Sequence, residues 1–450
     1  MSKTHNICMV GTGYVGLVTG AGLAKLGHTV TCVDIDAEKI TGLQEGQIPF
    51  YEEDLPKLVS DGIYAGRLRF TTNLEEGTSN AQFVFVAVAT PQSKDGEPDL
   101  SQLFTAVDDL SNLIMEGTTI VVKSTVPIGC FDDLNATIQS KGLDPSHYEL
   151  VACPEFLAEG SAVHDFFHPT RTIVGAECEK AARKVIALFD GVSGPRVITN
   201  IATAQMIKYA SNSFLASRIA FINNVALLAE QHGVDIHHVE QGMLLDARFG
   251  NSYLRAGIGY GGPCLSKDLA ALIHTAKIAG IEAIALSSIA AQNSQQLQHT
   301  INMLCDLATK GETVAIFGLS FKQGTSDVRS SLSLKIIHAL TERGRLVVAT
   351  DPEAIEYARP LLEIDGVTIK ENPWHAAAGS HVQAFLANWS QYQQLDLGLL
   401  HDTVARPCIF DGPGLFDPTM VAEAGFSYRG IGRIDPNRLM IVEHPEEPSD

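Results

Sequence analysis

The segment "NICMVGTGYVGLVTGAGLAKLGHTVTCVD", Asn6 to Asp34, carries the strongest structural signal in the chain. Ile7 to Val10 form a short apolar run, and glycines follow at 11, 13 and 16. A stretch of small residues comes next, and a second apolar run ends in Asp34. The order reads as strand, glycine turn, helix, strand. Gly11 permits a tight turn, Gly13 lets backbone approach a pyrophosphate, and Gly16 lets the helix sit close against the strand. Unpaired N–H groups at the N-terminus of the following helix would face the phosphates, and Tyr14 and Val15, between the glycines, are candidate cofactor contacts. Asp34 falls about 20 residues beyond the glycines, where a carboxylate can hold both ribose hydroxyls and would repel a 2′-phosphate. The expectation is an α/β dinucleotide fold that takes NAD rather than NADP.

Two later segments extend the same domain. "FVFVAVATPQSKDGEPDL" and "TTIVVKSTVPIG" each read as a buried strand, ending at Thr90-Pro91 and at Ser124, Thr125 and Pro127. Ligands of doubly wound sheets bind beyond the carboxyl ends of the strands, which places Thr90 and Thr125 to touch cofactor; capping of the next helix is the alternative use for a threonine there. From Thr203 the apolar period becomes helical and continues to about Gln231, with Gly233 as the stop. Lys208 and Asn212 are four apart and share one face of this helix, which fits either a solvated stripe or a polar pocket. "ETVAIFGLSFK" and "RLVVATDP" then repeat the β-α-β pattern with an acid, Asp351, at the second strand's end. The reading is two Rossmann-like doubly wound domains joined by a long central helix. The expected boundaries are 1–200 for the NAD-binding domain, 201–300 for a central helical region, 301–436 for a second Rossmann-like domain, and 437–450 for a disordered acidic tail.

Composition narrows the function. The formal charge of the 450 residues is −20, from 32 Lys and Arg against 52 Asp and Glu, so nucleic acid is not an expected partner. Eight cysteines without CxxC spacing argue against a disulfide framework and against a thiolate zinc site. The opening "MSKTHNICMV" has no apolar signal core, and no apolar run approaches the roughly 18 residues of a membrane span. A reduced, cytoplasmic setting without membrane attachment is expected.

One cysteine stands apart. In "GYGGPCLSKD", Gly259 to Asp268, Cys264 follows adjacent glycines and precedes Lys267 and Asp268. A structural cysteine prefers apolar company; this one is in polar, flexible sequence, and Lys267 is close enough in the chain to favour a thiolate. If a helix begins near Cys264, then Asp268, four residues on, faces the same site. The pattern suggests a nucleophile.

With these residues in view, the chain resembles the nucleotide-sugar 6-dehydrogenases from about Asn6 to Arg433. The markers are "GTGYVGL", "VATPQSKDGEPDLS", "KSTVPIG", "PEFLAEGSA", "KYASNSFLASRIAFINN", "DARFGNSYLRAGIGYGGPCLSKD" and "FKQGTSDVRSS". The resemblance implies a four-electron oxidation of a sugar C6 alcohol to a carboxylate with two NAD, of the kind that supplies sugar acids for polysaccharide synthesis. Cys264 would carry a thiohemiacetal and then a thioester. Lys208 would stabilise oxyanion character at C6, Asn212, Asp268 and Thr125 would position water, and Glu155 would be the base for thioester hydrolysis. Cofactor contacts are implied for Val15, Asp34, Lys39, Thr90, Thr125, Glu159, Lys267 and Arg329. Sugar-nucleotide contacts are implied for Glu155, Phe156, Leu157, Ala158 and Glu159, for Tyr253, Leu254, Arg255, Ala256 and Gly257, and for Gly261 and Lys322. Arg248 would reach substrate across a dimer interface.

The chain departs from the family pattern at Ser266, at Ala89, at Pro413 where an arginine contacting cofactor is frequent, and at Leu386 to Trp389. "PEFLAEG" favours UDP-glucose over UDP-N-acetylhexosamines and GDP-mannose. A non-catalytic NAD-binding protein and a two-electron 3-hydroxyacid dehydrogenase share the fold type, but neither needs an exposed thiol. The small-residue face of the central helix fits a dimer interface or burial within the chain.

Overall fold

Strand, turn and helix follow the sequence reading closely at the start of the chain. In this computed structural model, which describes residues 3–93, 96–250 and 252–433, β1 (Asn6–Val10) leads through the glycine turn into α1 (Tyr14–Lys25) and then β2 (Thr29–Val33). The tail read as 437–450 lies outside the described residues. Gly11 turns the chain with φ +96°, and a Cβ on Gly16 would come within 1.9 Å of the Gly11 carbonyl oxygen. No side chain other than hydrogen therefore fits at 16. Gly13 is different: a Cβ there would meet nothing within 4 Å, so its openness faces outward, where a ligand can approach.

The first sheet continues with β3 (Leu68–Thr71), β4 (Phe83–Val86), β5 (Thr118–Val122), β6 (Tyr148–Ala152), β7 (Thr172–Ala176) and β8 (Arg196–Thr199). Its order is β3-β2-β1-β4-β5-β6-β7-β8. Every neighbouring pair is parallel except β6 and β7. The chain reverses direction of travel across the sheet between β1 and β4, the switch point beyond which ligands of such sheets bind. Along the inner strands β1, β4, β5 and β7 the side chains on both faces are mostly apolar and buried, as two helical layers require, whereas the edge strand β8 is partly exposed.

The second sheet has β9 (Thr313–Phe317), β10 (Leu346–Thr350), β11 (Val367–Ile369), β12 (Val382–Phe385), β13 (Cys408–Asp411) and β14 (Ser427–Gly430), all parallel, in the order β11-β10-β9-β12-β13-β14. That is the order of the first six strands of the other sheet. The echo extends to single residues. Gly318 follows β9 with φ +106°, as Gly11 follows β1, and its amide donates to the Thr350 carbonyl as that of Gly11 does to Val33. Asp351 stands after β10 as Asp34 stands after β2.

Between the sheets in the chain runs α2 (Ile201–His232), 32 residues long. Asn200 caps it by accepting the Thr203 amide at 2.8 Å. Gly233, with φ +65°, ends it, and Val234 donates back to the Ala229 carbonyl at 2.9 Å. Then come α3 (Ile236–Leu244), α4 (Pro263–Ile278) and α5 (Ile284–Leu307). The chain divides into two compact units. The first runs as far as Phe214 and includes Pro263–Ser287 and Gly324–Ser326; the second has Leu215–Gly262, Ser288–Gln323 and the chain from Asp327 onward. Residues 201–300 are thus shared between both units. Among the described residues no helix is long and apolar enough to cross a membrane.

The two glycines give opposite tests. Gly16→Ala should lower stability by about 2 kcal/mol or more, because the obstacle is backbone. Gly13→Ala should change stability by less than about 0.5 kcal/mol while weakening dinucleotide binding. Thermal melts with and without NAD separate the two; equal melting losses would contradict the assignment of roles.

Candidate active site

The glycine turn fits a dinucleotide. Gly13 is the N-cap of α1 and no side chain satisfies the helix's first amides, so they remain available to a pyrophosphate. Asp34 accepts the Thr12 amide and hydroxyl at 2.8 and 2.7 Å, the Asp36 amide at 3.1 Å and the Lys39 ammonium at 2.9 Å. Burial raises its carboxyl, but these donors outweigh burial and the net shift is downward. It is therefore a fixed anion, suited to ribose hydroxyls. Ile35 beside it is 97% exposed and offers an apolar surface at the same edge. Thr90 donates its hydroxyl to the Thr125 carbonyl at 3.0 Å, which joins the loops after β4 and β5.

Four of the predicted catalytic groups meet in two buried pairs. Lys208, on α2, donates to Glu155 Oε1 at 2.7 Å, and both side chains are under 10% exposed. One turn further along α2, Asn212 donates to Asp268 Oδ2 at 2.6 Å. Asp268 is on α4, four residues after Cys264, so the helix beginning at Pro263 brings thiol and carboxylate to one face. Lys267 reaches Asp268 Oδ1 at 2.9 Å and Thr90 Oγ1 at 3.4 Å. Glu155 also accepts the Leu157 amide at 2.6 Å. Thr125, Gln205 and Lys208 line a cavity of about 10 Å³ together with Ser124 and Pro154, close to the space of one water.

The charges balance only because they are paired. Burial alone would lower the Lys208 ammonium, but Glu155, Asp268 and Cys264 raise it above its usual value. Burial likewise raises Glu155, and Lys208, the Leu157 amide and Lys123 bring it below the ordinary carboxylate range. The pair is held as ions. Cys264 corrects one expectation. Its residue is exposed, yet its thiol is pushed up to about 12, first by crowding with protein atoms, then by Glu155, with Asp268 and Glu159 adding and Lys208 opposing. Lys267 does not activate it, because that ammonium is spent on Asp268 and Thr90.

The loop after β6 carries the remaining first-unit residues. Phe156 has the Arg171 guanidinium 3.8 Å over its ring and Lys208 at 5.4 Å. The Ala158 amide donates to Asp165 at 3.0 Å, and Glu159 accepts the Thr325 hydroxyl at 3.0 Å.

The second unit gathers the other group. Tyr253, Arg255, Ala256, Gly257, Gly261 and Lys322 line a cavity of about 520 Å³, within the range of small-molecule sites. Leu254 does not: it is 8% exposed and belongs to the core beneath. Pro413, Leu386 and Asn388, where the sequence departs from the family pattern, line this same cavity. Trp389 instead donates its indole N–H to Ser320 and Asp351 at 3.2 and 3.3 Å. Arg248 and Arg329 are exposed and are each held by an acid two residues earlier, Asp246 and Asp327.

Several site-building residues have no local sequence signal. Glu240 accepts the Ala256 amide at 2.6 Å, Asn223 accepts that of Gly257 at 2.8 Å, and Gln296 donates to the Gly257 carbonyl at 2.7 Å. Asn293 brackets Tyr260, accepting its amide at 2.8 Å and donating to its carbonyl at 2.9 Å. Side chains from three helices thus fix the backbone of one cavity wall.

Comparison with known proteins covers nearly the whole chain. Residues 5–193 match the NAD binding domain of the UDP-glucose/GDP-mannose dehydrogenase family, 202–295 its central domain and 315–418 its UDP binding domain. UDP-glucose 6-dehydrogenase YwqF of Bacillus subtilis (strain 168) is 39% identical, covering 95% of this chain and 98% of its own. UDP-glucose 6-dehydrogenase TuaD of the same organism is 37% identical, covering 95% and 93%. A solved UDP-glucose dehydrogenase from Pyrobaculum islandicum superposes with TM-score 0.87 at 33% identity, over 96% of this chain and 98% of that one.

The raised thiol predicts an unusual alkylation profile. A free cysteine levels off above a pH of about 8.5; the rate at Cys264, followed by peptide-resolved mass spectrometry, should still be climbing at pH 10. A plateau near pH 8 would show a thiolate and overturn the assignment.

Proposed function

The chain belongs to the UDP-glucose/GDP-mannose dehydrogenase family, and from that membership and the site we propose that it oxidises UDP-glucose to UDP-glucuronate with two NAD. The observation that carries the reading is Cys264 at the head of α4, one turn from Asp268 and electrostatically coupled to the buried Lys208–Glu155 pair. NAD held by the open amides after Gly13 and by Asp34 would supply the hydride-accepting chemistry for both oxidations. Everything else falls to the protein's own groups.

Lys208 has three N–H donors and gives one to Glu155, so two remain for the C6 oxygen, which gains negative charge as its hydroxyl proton is released to water and the hydride leaves C6. When the aldehyde has formed, the bond from Cys264 Sγ to C6 is made while the carbonyl electron pair moves to oxygen, where Lys208 holds it. The thiol proton leaves towards Asp268, through the water that Asn212, Asp268 and Thr125 position. Loss of the second hydride converts this thiohemiacetal to a thioester. Glu155, an ionised carboxylate, then takes a proton from the water that attacks C6; the C6–S bond breaks, and the leaving sulfur takes back the proton held at Asp268, which restores the thiol. A covalent step of this kind divides one difficult oxidation into easier ones.

Recognition of the UDP portion is assigned to the second-unit cavity, where Arg255 and Lys322 supply positive charge in a protein of net charge −20. In chain terms, 1–200 serves NAD and also supplies Thr125 and Glu155, 201–300 supplies the other catalytic side chains and one wall of the sugar-nucleotide cavity, and 301–436 serves the UDP-sugar.

A homodimer completes the proposal. Met206, Phe214, Phe221 and Leu228 are 44%, 63%, 54% and 58% exposed along α2, and the last three are seven residues apart. That is the repeat with which one helix meets another, and a second copy of the chain presents the same seam. Arg248 is exposed for reach across such an interface. Phe221→Glu should therefore shift sedimentation from dimer to monomer; an unchanged dimer would remove the seam from the interface.

With NAD in excess, limiting UDP-glucose should give two NADH per sugar, following the four-electron scheme, and Cys264→Ser should release no acid. One NADH per sugar would contradict the covalent route. NADH from GDP-mannose but none from UDP-glucose would overturn the substrate.

A further inference from the structure

Glu52 is 3% exposed and belongs to none of the groups assigned above, yet three donors converge on its carboxylate. Its Oε2 accepts the Tyr14 hydroxyl and the Gly160 amide, the latter at 2.6 Å, and its Oε1 accepts the Ala162 amide at 2.6 Å. Tyr14 is the first residue of α1, directly after Gly13. Gly160 and Ala162 close the loop that carries Glu155 and Glu159. One carboxylate therefore ties the dinucleotide turn to the catalytic-glutamate loop.

The surroundings tighten this tie. The Tyr14 hydroxyl also receives the Gly160 amide at 3.2 Å, and its ring stacks on Phe50 with centroids 4.2 Å apart. Burial and Glu52 push the Tyr14 phenol far above its ordinary value, so it stays a donor. On the other side of Glu52, the Tyr51 amide donates to Ser326 Oγ at 3.1 Å, and Thr325 next to it donates to Glu159. A buried acceptor with three donors from two functional segments is costly to place and costly to disturb.

We propose that Glu52 is a positioning residue that couples NAD binding at the Tyr14 end of the turn to the placement of the Glu155 loop. The inference rests on the NAD-dependent reading above but not on which sugar is oxidised. Glutamine cannot replace Glu52, because either orientation of its amide sets an NH2 group against an N–H donor. Removing the Tyr14 hydroxyl takes away one of the three donors to Glu52, together with that hydroxyl's own contacts to the Gly160 amide and the Tyr51 carbonyl.

The test is a double-mutant cycle on Glu52→Gln and Tyr14→Phe, read by calorimetric NAD affinity of the free enzyme and by kcat and KM for NAD. Glu52→Gln should weaken NAD by about tenfold and lower kcat by a similar factor, and Tyr14→Phe should weaken NAD by about fivefold. The double variant should be no worse than Glu52→Gln alone, since both act through one link. Additive losses, or a Glu52→Gln enzyme that melts lower but keeps NAD affinity within about twofold, would overturn the proposal. Should Glu52→Gln fail to fold, parental NAD affinity and kcat in Tyr14→Phe would overturn it as well. NAD affinity is measured without sugar, so a wrong sugar assignment leaves this test intact.

Discussion

The buried bridge between Lys208 and Glu155 is the constraint around which the catalytic unit is arranged. A lone ammonium or carboxylate at under 10% exposure would be forced neutral; together they keep both charges and fix α2 against the loop after β6. Asn212 repeats the arrangement one turn on, fixing α2 to α4 through Asp268. In the proposed mechanism the same two contacts also fix where a cation, a carboxylate and a thiol stand before any substrate arrives. Breaking one partner costs several kcal/mol in such a pair, so the helix cannot shift to relieve a poor fit. The site is preorganised by the interactions that fold it.

The two sheets show one topology put to two uses. Asp34 and Asp351 follow equivalent strands and both accept donors from the turn after the first strand of their sheet. Asp34 is partly buried beside the exposed Ile35 and is suited to a ribose. Asp351 is 2% exposed and accepts from the Leu319 and Ser320 amides at 2.7 and 3.0 Å, from Trp389, and from the Glu353 and Ala354 amides at 2.9 and 2.8 Å. Its acceptor capacity is consumed by the protein itself. The second sheet therefore uses its acid as structure, and its cavity is lined instead by the 252–261 segment and the ends of β9, β12 and β13.

The sequence made the architecture readable where local rules apply. Glycine spacing set the first turn, apolar runs set the strands, and the helical period set α2 to within a residue of its stop at Gly233. Cys264 and Asp268 could be placed on one helical face because four residues make about one turn. What resisted reading was long-range. The antiparallel β6–β7 pair is a choice of backbone partner that no local pattern encodes, and the Glu52 hub and the brackets of Asn223, Asn293 and Gln296 join residues far apart in the chain through single side-chain contacts that leave no periodicity. The Lys267 error has the same origin: proximity in sequence to Cys264 suggested a thiolate, whereas the folded chain gives that ammonium to Asp268 and Thr90 and leaves Lys208 as the cation that bears on the thiol. Leu254, in a loop otherwise lining the cavity, turns inward because one apolar residue anchors that loop to the core.

The central claim is that Cys264 carries the sugar carbon between the two oxidations. Its most direct test is rapid acid quenching of the enzyme during turnover with NAD and UDP-glucose, followed by peptide mass spectrometry. An acyl adduct of the sugar nucleotide is expected on the peptide containing Cys264 and on no other cysteine. NADH formation at full rate with Cys264 unmodified at every quench time would contradict it.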